Sequence, residues 1–157
     1  MTHLHRTEIF IEATPERVFG HFTDPGMLSS WLGKAARLDP QPGGEFRFEI
    51  ADGEWCVGEY VEIDPPRRVV FTWGWENETM NLPPGSSVVE VDLAQEGAGT
   101  RLSLTHRDLP DDDSLMLHTD GWSRYLYRLD RVARGREPGP DPGAETPDQA
   151  RERLDSP

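Results

Sequence analysis

Polar and apolar positions along the chain fall first into a period of two. In Thr7–Glu12, "TEIFIE", they alternate as in a strand with one covered face. Thr14-Pro15 then joins an N-cap residue to a proline at the first helical position. Val18, Phe19 and Phe22 give that short helix its apolar stripe. Asp24-Pro25 repeats the start, Leu28, Trp31 and Leu32 form a second stripe, and Gly33 ends it. The period of two returns in "GGEFRFEIADGEWCVGEYVEID", which sets Phe46, Phe48 and Ile50 on one face and Glu45, Arg47 and Glu49 on the other. Asp52-Gly53 marks a hairpin turn between two strands, and Pro65-Pro66 closes the second. "RRVVFTWGW" reads as the next strand, followed by a polar loop at Glu76–Ser86. "SVVEVDLAQ" and "TRLSLTH" form a further pair around a turn at Glu96–Gly99. Val89, Val91 and Leu93 face inward on one strand, and Leu102, Leu104 and His106 on the other. A single long helix, from about Asp112 to Arg134, ends the order, with Trp122, Tyr125, Leu126, Leu129 and Val132 at helical spacing.

A one-sided antiparallel sheet needs a cover, and only the helices can supply it. The pattern therefore predicts an α+β fold. A curved antiparallel sheet of about six strands wraps around the long C-terminal helix, and two short helices follow the first strand. Gly121, inside that helix and directly before Trp122, costs roughly 0.5–1 kcal/mol relative to alanine. It predicts either a close approach to the sheet or space left over a cavity.

Composition changes the picture at the C-terminus. The 157 residues suffice for one core, assigned to residues 1–135. From Glu137 onward, "EPGPDPGAETPDQARERLDSP" contains one leucine, Leu154, and too little apolar surface to offset its chain entropy. Residues 136–157 are therefore expected to be a disordered, Pro/Gly-rich acidic tail, with room for a short frayed helix around Gln149–Leu154. The net charge is −13, and no basic run occurs. Such a surface repels phosphate backbones and anionic lipid heads, which disfavours nucleic-acid binding and membrane insertion. Cys56 is the only cysteine, so an internal disulfide and a multi-cysteine metal site are excluded. The N-terminus has no apolar leader-like run, and the expected location is cytoplasmic.

"DPGMLSSWLG", "GEYVEIDPPRRVVFTWGWE", "TRLSLTHRDLP" and "HTDGWSRYLYRL" resemble the bacterial domains related to the C-terminal domain of the heat-shock-protein-90 ATPase activator. These are members of the START-like superfamily with the helix-grip fold, and the resemblance runs from about Glu8 to Val132. It implies a cavity between the concave face of the sheet and the long helix, and no cofactor.

Within that frame, Phe46, Phe48, Trp55, Trp73, Trp75, Trp122 and Tyr125 are candidate ligand-binding residues, because small ligands use apolar and aromatic pockets. His106 and His118 are the candidate polar groups. His106 is also the one candidate catalytic base, since a near-neutral imidazole can move a proton. No spacing of histidines or carboxylates fits a metal site. Asp111-Asp112-Asp113 reads as a helix cap; Glu54 and Glu59 are expected on a solvated face, and border the pocket as a candidate acid or base only if the strand bulges near Gly58. The reading is a protein that binds a small apolar or aromatic molecule. The alternatives are a cyclase- or dehydratase-type enzyme in the same cavity and a chaperone-interacting module. A homodimer is left open.

Overall fold

The computed structural model describes residues 3–156. β1 (His3–Ile11) leads into α1 (Pro15–Gly20) and α2 (Pro25–Ser29). Then come β2 (Ala35–Leu38), β3 (Glu45–Ala51), β4 (Glu54–Asp64), β5 (Arg68–Trp73), β6 (Ser87–Glu96) and β7 (Gly99–Leu109). The long helix α3 (Asp112–Ala133) follows, and α4 (Pro147–Asp155) ends the chain. All strands join one antiparallel sheet in the order β1-β7-β6-β5-β4-β3-β2. Every β2–β7 connection therefore joins spatial neighbours, and β1 returns to pair with β7.

The helix starts form as their caps dictate. Thr14 accepts from the Arg17 amide and Asp24 from the Met27 amide, each ahead of a proline at the first helical position. The strand alternation also holds: Phe46, Phe48, Phe71, Val89, Val91, Leu102 and Leu104 are all buried. Phe46 stacks on Phe71 with ring centroids 4.0 Å apart and lies edge-on to Tyr60. The Tyr60 hydroxyl donates to the Phe22 carbonyl and the Trp31 indole to the His21 carbonyl, tying the two short helices to the rest of the core. Helix α3, about 33 Å long at 1.5 Å per residue, is capped by the Asp111 carboxylate, which accepts from the Ser114 amide. It buries Leu117, His118, Trp122, Tyr125, Leu126, Leu129 and Ala133, the stripe that helical spacing demands.

Two features differ from expectation. The sheet has seven strands, because β2 pairs with β3 at an edge. Four half-exposed residues, "AARL", are too few to show a period. The stretch assigned to a disordered tail instead folds back along α3. It makes a single helical turn at Pro142–Ala144 and then α4, whose capping box joins Thr146 and Gln149. Composition missed this because the segment docks through charged and backbone groups rather than through apolar burial. The Arg128 guanidinium donates to the Pro140 carbonyl, and Arg151 pairs with Asp113 across 2.8 Å.

Candidate functional site

Between sheet and helix lies a cavity of about 210 Å³. Trp73 comes from the end of β5 and Trp75 from just beyond it, with Ile50 from β3 and Leu32 from the segment after α2. Helix α3 contributes Leu117, His118, Gly121, Trp122 and Tyr125. Met80, in the loop between β5 and β6, closes one side, and Pro142, Gly143, Glu145, Thr146, Pro147 and Ala150 close another. Met80 holds φ at 60°, one of three non-glycine residues between Glu78 and Asn81 in the left-handed region.

Two histidines organise the polar interior, their rings edge to face with centroids 4.9 Å apart. His118 Nδ1 lies 2.8 Å from the Ser114 carbonyl and therefore carries the proton. Its Nε2 then accepts from the indole N–H groups of both Trp73 and Trp75, each at 3.3 Å. His106 takes the opposite tautomer. Its Nδ1 accepts from the Trp122 indole at 3.0 Å, so Nε2 donates to the Ser87 hydroxyl at 2.8 Å. Ser87 passes its own proton on to the Trp73 carbonyl. Three indole donors, two neutral imidazoles and one hydroxyl thus satisfy one another together with the backbone carbonyls of Ser114 and Trp73.

Burial dictates the charge state. Desolvation holds the His118 pKa down at about 4, against the upward pull of the Ser114 carbonyl. Desolvation pushes His106 well below the usual histidine range, and neighbouring His118 and His5 push it the same way. Both are neutral at pH 7.

The structure sorts the sequence candidates by depth. Trp73, Trp75, His118, Trp122 and Tyr125 line the cavity. Phe46 and Phe48 lie fully buried behind it, Phe48 packing 5.2 Å from Trp73. His106 sits behind His118 and does not line the cavity, and both its nitrogens are occupied. The strongest candidate base is thereby withdrawn. Trp55 is on the outer face of the sheet, where the Arg47 guanidinium covers its ring at 4.8 Å. The register explains this: Trp55 pairs with Glu49, which alternation already turns outward. Glu54 lines the cavity and accepts from Asn77 and Thr79, whereas Glu59 does not reach it.

Sequence reasoning missed Leu117, which shares the helix stripe, and Met80, which no period marks. It also missed the whole wall from 142 to 150. Among the described residues no cluster of three or more His, Cys, Asp or Glu side chains could hold a metal ion. Among the described residues no helix is long and apolar enough to cross a membrane.

An open antiparallel sheet gripping one long helix, with a cavity between them, defines a START-like helix-grip domain. Within that class the chain belongs to the family described as Activator of Hsp90 ATPase homolog 1-like protein, which matches residues 12–134. An AHSA1-like protein of Rhizobium etli, solved by NMR, is 38% identical over 90% of this chain and 88% of its own, with a TM-score of 0.71. An HSP90 activator of Plasmodium falciparum is 26% identical over 82% of this chain and 94% of its own, with a TM-score of 0.70. The Aha1 dimer of Colwellia psychrerythraea, 19% identical over 85% of this chain and 96% of its own, shares the fold at a TM-score of 0.70. Among curated proteins, none matches this chain.

Proposed function

We propose that this protein binds one small, largely apolar, ring-containing molecule in the cavity beneath α3 and does not transform it. The observation that carries this reading is the wall itself. Trp73, Trp75, Trp122 and Tyr125 supply apolar area, while His118 has both nitrogens committed to protein partners. A base that is neutral, desolvated and hydrogen-bonded on both sides offers little to proton transfer. At about 210 Å³ the cavity falls between the ~150 Å³ that admits benzene and the roughly 300–1,000 Å³ of drug-sized pockets, a size for one or two rings.

Thermal unfolding in the presence of indole and of 1-naphthylamine tests the reading. At a hundredfold excess over Kd, linkage adds about 2.7 kcal/mol, and the midpoint should rise by roughly 5–10 °C. Unchanged midpoints with a panel of one- and two-ring compounds would sink it.

A second reading, contact with a chaperone, is favoured by the likeness to the Plasmodium falciparum HSP90 activator. Its measure is the ATPase rate of an Hsp90-class chaperone, which this protein would raise. The charge of −13 supports a protein with no nucleic-acid partner and no membrane insertion, and the likeness to the Colwellia psychrerythraea dimer supports self-association, which light scattering measures.

A further inference from the structure

The cavity wall from Pro142 to Ala150 lies beyond the part of the chain that the family matches, which ends at residue 134. Its attachment is unlike that of any other element. Ala150 is the only apolar residue it fully buries, and Leu154 stays exposed. Nearly everything else that holds it to α3 is ionic or polar. Arg151 clasps Asp113 with two nitrogens at 2.9 and 2.8 Å, and Arg153 meets Asp120 at 2.6 Å. Arg124 on α3 meets Glu145 at 2.6 Å, and the Tyr125 hydroxyl reaches Asp141 at 3.3 Å. Glu145 is bracketed by Arg153 and Arg124, and these hydrogen bonds hold its carboxyl down at about 2. Asp120, Arg124, Tyr125 and Glu145 also line the cavity, so the fastening and the pocket share residues.

The connector turns at two glycines, the first of which ends α3. Gly135 and Gly139 hold φ at 83° and 85°, with open space where a side chain would stand. At the other end, Gly143 is wedged: a Cβ there would come 2.4 Å from the Ile50 carbonyl and 3.1 Å from the Tyr125 hydroxyl.

We propose that residues 137–156 form a salt-labile latch that completes the cavity wall, and that its release governs entry of the ligand. This rests on the cavity being a ligand site. Partly exposed ion pairs are individually weak and screened by salt, which suits a wall that must open. The apolar part of the cavity, built from the sheet and α3, persists when the latch leaves. The latch thus sets access and fit at the 142–150 side without holding the domain together.

Stopped-flow entry of the fluorescent two-ring probe 1-naphthylamine into the full chain tests this, with Arg151→Gln/Arg153→Gln, Gly143→Ala and a charge-matched control, Arg67→Gln/Arg101→Gln. In 20 mM NaCl the two latch variants should take up the probe about tenfold faster than the unsubstituted chain, the scale of two such pairs. The control should not, and 500 mM NaCl should bring the unsubstituted chain up to the variants. Equal rates for all four at low salt would overturn the latch. Amide exchange without probe separates this from failure of the binding reading. If no form takes up the probe, binding is refuted. The salt-labile fastening of the segment then stands without a role in ligand entry if amides 150–155 are protected at low salt and lose protection in Arg151→Gln/Arg153→Gln, and falls if they exchange freely in the unsubstituted chain.

Discussion

At Gly121 an ideal Cβ would meet nothing within 4 Å, although the residue sits in the middle of a 22-residue helix and on the cavity wall. The sequence posed two readings of this glycine, close approach or open space, and the geometry selects space. Gly121→Ala should therefore stabilise the fold by roughly 0.5–1 kcal/mol, read from urea melts, and weaken binding of the naphthylamine probe. Gly121→Leu should fold and bind none of it; retained affinity would mean that the ligand sits elsewhere. The histidine network gives a second test at this scale. Trp122→Phe removes the sole donor to His106 Nδ1 and leaves a buried acceptor unpaired, worth about 1–3 kcal/mol beyond the lost ring contacts. Trp73→Phe leaves His118 Nε2 its bond from Trp75, so that penalty should not appear. Equal losses in the two variants would dismiss the network as a source of stability.

Among the elements, α1, α2, α3 and six of the seven strands were legible because each writes its own signature: a cap before a proline, a period of two, or a stripe at helical spacing. β2 and α4 were not. A four-residue edge strand exists only because β3 presents a row of free backbone groups to it. Helix α4 has a readable capping box, Thr146 with Gln149, but its docking depends on Asp113 and Asp120 lying on one face of α3. Judging the segment by its apolar content counted only one means of offsetting chain entropy. The Arg151→Gln/Arg153→Gln variant described above belongs here: it loosens one element and should leave the urea midpoint of the domain nearly unchanged.

For the molecule as a whole, buried neutral histidines tie stability to pH. An unfolded histidine takes up a proton near 6.5, whereas His118 does so only at about 4. Between these values the unfolded chain binds more protons than the folded one, so stability is full above about pH 6.5 and falls as the pH drops toward 4. The gap corresponds to roughly 3 kcal/mol from His118, and His106, His21 and His5 shift in the same direction. Urea melts at pH 7.5, 5.5 and 4.5 should show the decline, and His118→Gln, which cannot titrate, should flatten it. Identical slopes in the two proteins would contradict the assignment.

The order of strands and helices, the faces they bury and the family they belong to follow from the sequence, because each depends on neighbours within a few residues or on the pattern of the whole chain. Of the nine candidate ligand-binding residues, the sequence could place aromatic side chains on inward faces but not rank them by depth. Only the packed structure puts Trp73, Trp75, Trp122 and Tyr125 at the cavity and Phe46 and Phe48 behind it. It alone sets the tautomer of His106, whose partners Trp122 and Ser87 lie 16 and 19 residues away, whereas His118 is fixed by Ser114 one helical turn before it. It alone brings the C-terminal segment to the cavity wall, because the charges that fasten it meet only once α3 has been laid across the sheet.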